Sequence, residues 1–593
     1  MSATSCTSLD DLTARLLHRA DSYVHITRQA SDDLVSVCLA KAAQIYEQGN
    51  SVRVVCADEI SRQHYLKHLT RFPSVKASDI TTMRELCLSI IANKQISQTI
   101  GRKARILDEN EHDVLLEDLK VSGLKPGRLK EMLKFFYKGL SNFEDESQEW
   151  LITSEEQQIF ALLEKNLEVR QAMISYELAS KTYQGMVQAK IEREPLSIIA
   201  DDYATLSKAS QRLLEYLATS SLIVAGSKKA ARNADESYPH LEGFTNFCEL
   251  HPETYSLTLD IPRTDPERVL KVCTDPKEEF SFIAQNIVEL LKQGMAPDDI
   301  LIAVPNSTWK HNIVDCLQKK GIAISPDVEP DKIKGNPRFD DRCENLKLAT
   351  FLKLYRNPSD NVALRSWLGF GDWLLRSDAF LELLAYAQDN KQDIIESITE
   401  LRKLDKDKRP TQLFEKFDKP LDELAKLQKA CVSPSQQEAI ALFAEHGMPL
   451  DADMIKLLGK DIKHADLNKL AHQAFLPRAQ DNVSDGVVVT RYRRCHGRHV
   501  EVLFFTGLIN GFLPAFDAVD DRYSIDHKKK VLEREMQLFD DIEASAHQKI
   551  IQTLFEQDTL ENTSFLNMQT SRVFIKESTR FARITPSQFL QAK

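Results

Sequence analysis

Five short apolar runs, each set among stretches of helical periodicity, constrain this chain more than any other feature. They are SVRVVCA (51–57), PLSIIADD (195–202), SSLIVAG (220–226), DDILIAVPN (298–306) and EVLFFTGL (501–508). A strand that is apolar on both faces must be covered on both faces, and helices provide that cover in a parallel sheet. The amphipathic stretch EEFSFIAQNIVELLKQG lies shortly before the fourth run and suits that task. An α/β architecture follows. Two long segments, 105–190 and 340–480, are rich in Leu, Glu and Lys with few glycines, and read as all-helical insertions. At 593 residues and 42% hydrophobic content the chain exceeds what one core can organise, so several domains are expected.

Charge and cysteine usage narrow the function classes. The net charge of −11 means that any polyanion site must be a local basic patch rather than the whole surface. The ten cysteines are scattered without a CxxC pair. That spacing argues against a zinc site, an iron–sulfur cluster or a disulfide framework, so no metal is expected, and it suits a reducing cytoplasm. The start, MSATSCTSLDDL, lacks a basic segment followed by an apolar run, and no stretch approaches 18 apolar residues. Neither a secretion signal nor a membrane span is expected.

Residues 24–37, VHITRQASDDLVSV, place an apolar run before an eight-residue turn. The helical stretch LVSVCLAKAAQIYEQGN follows and closes with Gly49 at a C-cap position. Strand, turn and helix form the frame of a phosphate-binding loop. Yet the turn holds no glycine, and Asp33 stands where a lysine would be. Taken alone, the segment reads as an ordinary strand–loop–helix.

The order of short motifs along almost the whole chain resembles the superfamily 1 DNA helicases of the UvrD/Rep type, including AddB-like subunits of helicase–nucleases. The family's AGAGSGKT slot is filled by Thr27, Arg28, Gln29, Ala30, Ser31, Asp32, Asp33 and Leu34. VVCADEISRQHYLKHL (54–69) resembles the "TFTNKAA" segment. TTMRELCLSII (81–91) resembles "TFHSFALRIL", a stretch that touches DNA in the family, with Thr82 retained. IIADDYATLSKASQRLL (198–214) resembles the Walker B segment, with Asp201 at the magnesium aspartate and Asp202 in place of the catalytic glutamate. Its alternative reading is a helix start whose acidic residues favour the dipole.

LIVAGSKKAARN (222–233) falls on "LVGDPDQSIY" and keeps Gly226, with Ala230 in place of the glutamine that senses the γ-phosphate. SLTLDIPRT (256–264) falls on "LTRNYRS", where Arg263 matches a phosphate-contacting arginine, although a surface ion pair would explain it equally. LKLATFLKLYRNPSDNVALRSWLGFGDW (346–373) resembles the start of the family's second helical insertion. VVVTRYRRCHGRHVEVLFFTGLINGFLP (487–514) resembles "VTVHRAKGLEFDVVFVAGLVEGFFP", with Gly497, Gly507, Gly511 and Pro514 in register. LEREMQLFDDIEASAHQKI (532–550) falls on "EERRLFYVAITRAKRRL", with Ser545 in place of the final arginine. ITPSQFL (584–590) resembles the closing "PSRFL", after which no nuclease domain is expected.

The resemblance implies two RecA-like (P-loop NTPase type) parallel-sheet cores, each with a helical insertion domain. The first core would comprise 1–104 and 191–265, interrupted by a helical insertion at 105–190. The second would comprise 266–339 and 481–593, interrupted at 340–480. It also implies a degenerate nucleotide site at Thr27, Ser31, Asp33, Leu34 and Gly226, with Asp201, Asp202 and Arg263 as remnants of the catalytic set. Asp33 reverses the sign of a lysine's charge beside a triphosphate, worth about 4 kcal/mol per unit-charge pair at about 4 Å and an effective dielectric near 20. The losses are selective: residues that shape strands and turns match, whereas those that touch ATP mostly do not.

Basic character persists in Arg491, Arg493, Arg494 and Arg498 around Tyr492, with His496 and His499, a composition suited to single-stranded nucleic acid or to a solvated loop. Lys528, Lys529 and Lys530 read as a charge run in an exposed loop. The leading expectation is a helicase-like protein that binds single-stranded or partially duplex DNA, or a helicase or nuclease subunit, without a working ATP site. An active ATP-dependent helicase using Mg-ATP, and an interaction scaffold without DNA binding, are the alternatives.

Overall fold

The structure is a computed structural model of the chain, describing all residues except 1–2, 30, 148, 229–234, 262–264, 326–332, 334, 406–407, 410–411, 460–464, 475–485 and 592–593. It is an α/β protein built on two parallel sheets. The first contains β1 (Thr4–Cys6), β2 (Tyr23–Thr27), β3 (Val52–Cys56), β4 (Ile80–Thr82), β5 (Ser197–Ala200), β6 (Ser221–Gly226) and β7 (Tyr255–Leu259) in the order β1-β7-β2-β6-β5-β3-β4. Every neighbouring pair is parallel. The second contains β8 (Glu267–Cys273), β9 (Ile300–Val304), β10 (Val488–Arg491), β11 (Val500–Phe505) and β12 (Ala546–Phe555) in the order β10-β9-β11-β12-β8, again all parallel. A small antiparallel sheet, ordered β13-β15-β14, follows from β13 (Gln557–Thr559), β14 (Thr570–Lys576) and β15 (Thr579–Ile584).

The five apolar runs are β3, β5, β6, β9 and β11, and all lie inside parallel sheets. All five residues of β9 are buried, as a strand covered on both faces requires. Helix starts are fixed locally. The Asp58 carboxylate accepts from the Ser61 amide and opens the helix Glu59–His68, and Asp275 opens Pro276–Lys292 in the same way. The helix Val35–Glu47 stops before Gly49, whose φ of +80° is open to glycine at no steric cost. Gly511 is a stricter case: its φ is +104°, and an added Cβ would lie 2.3 Å from the Asn567 carbonyl oxygen.

One feature differs from expectation. Lys528–Lys530 sit near the start of the helix Ile525–Ala544 rather than in a loop, because the Ser524 hydroxyl accepts from the His527 amide and starts the helix ahead of them. The segment 532–550 is divided: its helix ends at Ala544, and β12 begins at Ala546.

The chain forms two compact units. One consists of Met1–Met83, Arg193–Asp327 and Gln480–Lys593, and holds both parallel sheets. The other consists of Arg84–Glu192 and Val328–Ala479, and among its described residues the regular elements are helices. The core of the helical unit includes Phe351, Trp367, Phe380 and Phe414. A charged cluster lies within it. Asp118 accepts from Arg365 Nε at 3.0 Å and Nη2 at 2.5 Å, from the Ser377 hydroxyl at 2.6 Å, and from Arg170. Both guanidinium groups also lie over the Phe380 ring. Burial pushes Arg170 down to about 10 against the pull of Asp118, so it remains charged at neutral pH.

Candidate functional site

In the first sheet, β6 lies between β2 and β5, so the loops leaving the carboxyl ends of β2 and β5 come close together. In open parallel sheets this edge is where ligands bind. Arg28, the first residue after β2, reaches across to the acidic pair after β5. Its Nη2 donates to Asp201 Oδ1 at 3.1 Å and to Asp202 Oδ1, while Nη1 donates to the Asp32 carbonyl at 3.0 Å. All three residues of the ion pair are buried, at 6%, 7% and 8% exposure. Tyr65 donates its hydroxyl to Asp201 Oδ2 at 2.9 Å. Asp202 adopts a left-handed conformation with φ +54°.

Burial alone would lower the Arg28 pKa, but Asp202 and Asp201 outweigh it and hold the guanidinium protonated. Burial pushes Asp201 upward even with Arg28 opposing. Asp202 is held well below the usual carboxylate range because Arg28 and His496 overcome the cost of its burial.

The loop after β2 meets several of its own amides from within. Asp32 Oδ2 accepts from the Gln29 amide and Asp33 Oδ1 from the Val35 amide, each at 2.9 Å. The Asp32 amide donates to the Gln29 carbonyl. A phosphate-binding loop aims such N–H groups at an incoming anion. Here the chain's own carboxylates and carbonyls receive them.

The second sheet contributes imidazoles to the same edge. His496, in the loop between β10 and β11, places Nε2 3.2 Å from Asp202 Oδ2 and Nδ1 2.9 Å from both carboxylate oxygens of Asp541. Burial would depress its pKa, but Asp541 and Asp202 raise it well above the ordinary histidine value. His499, just before β11, stacks on His64 with ring centroids 5.4 Å apart. His64 Nε2 is 2.7 Å from Asp33 Oδ2.

The other expected site residues fall in different settings. Thr27 ends β2 and is half-buried, Ser31 is half-buried in the loop, and Leu34 is in the core. Gly226 ends β6, where an added Cβ would lie 3.2 Å from Ala204 Cβ and 3.3 Å from the Phe244 ring, so close packing accounts for it. Arg263 and Ala230 lie outside the described residues. Thr82 ends β4 at 2% exposure.

Within the basic run, Arg491, Arg494 and Arg498 are half-buried and Arg493 is exposed. Tyr492 sits in the core of the second sheet at 4% exposure, with its hydroxyl donating to the Thr506 carbonyl. A ring held there presents no face to a base. Ser545 is buried and donates its hydroxyl to the Ile542 carbonyl at 2.6 Å. Arg28, Tyr65, His64 and Asp541 were not singled out from sequence. Arg28 carried a visible signal: a lone cation immediately after the strand, within the loop frame.

No family model and no curated protein sequence matches the chain. Among the described residues, no helix is long and apolar enough to cross a membrane.

Proposed function

We propose that this chain is a UvrD/Rep-like superfamily 1 helicase-fold protein with a degenerate ATP site, built from two RecA-like cores with helical insertions. On this reading it is a DNA-binding or scaffold component of DNA repair or recombination. The observation that carries the proposal is the Arg28–Asp201–Asp202 cluster. Two segments far apart in sequence, the loop after β2 and the acidic end of β5, meet at the carboxyl edge of the first sheet and neutralise one another. An Asp201 paired with an internal guanidinium is a poor ligand for Mg²⁺. Freeing it would break a buried ion pair, at a cost of about 3–5 kcal/mol.

The second reading, an active ATP-dependent helicase with an altered loop, draws on the same residue: Arg28 supplies a cation that the missing lysine does not. It requires that guanidinium to leave both aspartates when ATP arrives. Calorimetry with Mg-ATP, with and without single-stranded DNA, separates the readings. No heat from ATP alongside measurable DNA binding is the expected result. Micromolar ATP binding would restore the active helicase to first place. Binding of neither ligand would leave an interaction scaffold without a DNA role.

A further inference from the structure

We propose that Asp33, His64 and His499 form a binding site for one divalent transition-metal ion of the zinc type. Each residue offers one ligand atom, and these atoms all lie within 4.8 Å of one another. The inference is independent of any nucleotide or DNA chemistry.

The three residues arrive from three directions. Asp33 belongs to the loop after β2, and its Oδ1 is committed to the Val35 amide, which orients the carboxylate and leaves Oδ2 facing His64. His64 lies on the helix Glu59–His68, whose start is fixed by the Asp58 cap. His499 belongs to the second sheet, immediately before β11. Its ring stacks on His64 at 5.4 Å and on His547 at 5.8 Å between centroids.

The second observation is the state of His499. Its Nδ1 is buried and has no hydrogen-bond partner among the described residues. A buried polar nitrogen without a partner carries a desolvation cost that a bound ligand removes.

The donor set selects the metal. Two imidazoles and one carboxylate suit zinc and its first-row neighbours, whereas Mg²⁺ and Ca²⁺ prefer oxygen donors throughout. Tetrahedral zinc with bonds of about 2.0–2.1 Å spaces its ligand atoms about 3.3 Å apart, so side-chain movements of up to about 1.5 Å close the triad. Water would complete the shell. Because Asp33 and His64 come from the first sheet and His499 from the second, the ion would link the two.

The test uses the full chain, stripped with a chelator and titrated with Zn²⁺ alone, then with Co²⁺ as a spectroscopic probe. The expected result is one equivalent bound, a raised thermal midpoint, and a Co²⁺ spectrum of nitrogen and oxygen ligation. Asp33→Asn, His64→Asn and His499→Gln should each weaken binding at least about tenfold, while the exposed His311→Asn leaves it unchanged. Circular dichroism of each metal-free variant establishes that it is folded, and three separate substitutions keep the test decisive if one fails to fold. No stoichiometric binding by the native chain, binding indifferent to all three substitutions, or a thiolate-to-cobalt band from the cysteines would overturn the site.

Discussion

His496 Nε2 lies 3.2 Å from Asp202 Oδ2, so a side chain from the loop between β10 and β11 closes on the carboxylate that follows β5. The same ring meets Asp541 through Nδ1. One imidazolium therefore ties the acidic edge of the first sheet to the second. The contact places a pH-sensitive group at the junction, and its direction can be worked out.

Burial opposes the charge on His496, but Asp541 and Asp202 raise its pKa well above the ordinary value. A group raised on folding contributes stability that is complete below the unfolded value of about 6.5, and this is lost as pH rises through the folded value. Asp202 is depressed, so its contribution is present above about pH 4 and is lost as pH falls. The stability gap between the native chain and His496→Asn should therefore be widest between these limits, at about 3 kcal/mol, and should narrow at alkaline pH. Urea denaturation across a pH series measures it. A gap that is constant from about pH 6 to about pH 10 would show that His496 is not charged in the folded protein.

Arg28 is the sole guanidinium seen to neutralise Asp201 and Asp202 among the described residues. Arg28→Met leaves both carboxylates buried beside each other and should destabilise the sheet-bearing unit by about 3–5 kcal/mol. Adding Asp202→Asn removes one of the stranded charges and should recover part of that loss. A double-mutant cycle on denaturation midpoints should return a coupling energy of at least about 1 kcal/mol. Strict additivity would mean that the two groups do not interact in solution.

The parallel strands were legible because burial on both faces writes continuous apolar runs such as ILIAV of β9. β8 was not, since four of its seven residues are exposed and its sequence reads ERVLKVC. β1 and β4, three residues each, are too short to carry a pattern. The loop after β2 announced its frame and its missing glycines, but not its chemistry. That chemistry depends on Arg28 meeting residues 173 and 174 positions away, a pairing no local pattern encodes. The basic run around Tyr492 shows the opposite failure. Composition suggested a nucleic-acid surface, yet the short helical turn after β10 directs Tyr492 inward and only Arg493 fully outward. The cysteine argument against a metal considered thiols alone and could not register an Asp/His set assembled from three separate segments.

Asp118 gives an independent test of the helical unit. It is the shared acceptor for Arg170, Arg365 and Ser377 in a site with almost no solvent access. Asp118→Ala leaves two buried guanidinium groups facing each other and should cost about 3–5 kcal/mol, a loss large enough to melt this unit first. Asp118→Asn keeps the shape and one acceptor and should cost less. Limited proteolysis should cut the Ala variant within 84–192 or 328–479 while the sheet-bearing unit stays protected. Cleavage confined to the sheets would contradict the assignment of the cluster as a keystone of the helical unit.

Tyr492 and Arg493 are neighbours with opposite expected phenotypes. The Tyr492 hydroxyl serves the Thr506 carbonyl inside the core, so Tyr492→Phe should lower stability by about 1 kcal/mol and leave single-strand affinity unchanged. Arg493 is exposed, so Arg493→Ala should leave stability within about 0.5 kcal/mol. If the proposed DNA surface includes this turn, the same change weakens single-strand binding and reduces the slope of log affinity against log salt by about 0.7–1. Fluorescence anisotropy over a salt series reads both quantities. Unchanged affinity and an unchanged salt slope in Arg493→Ala would mean that the basic turn contributes no phosphate contact.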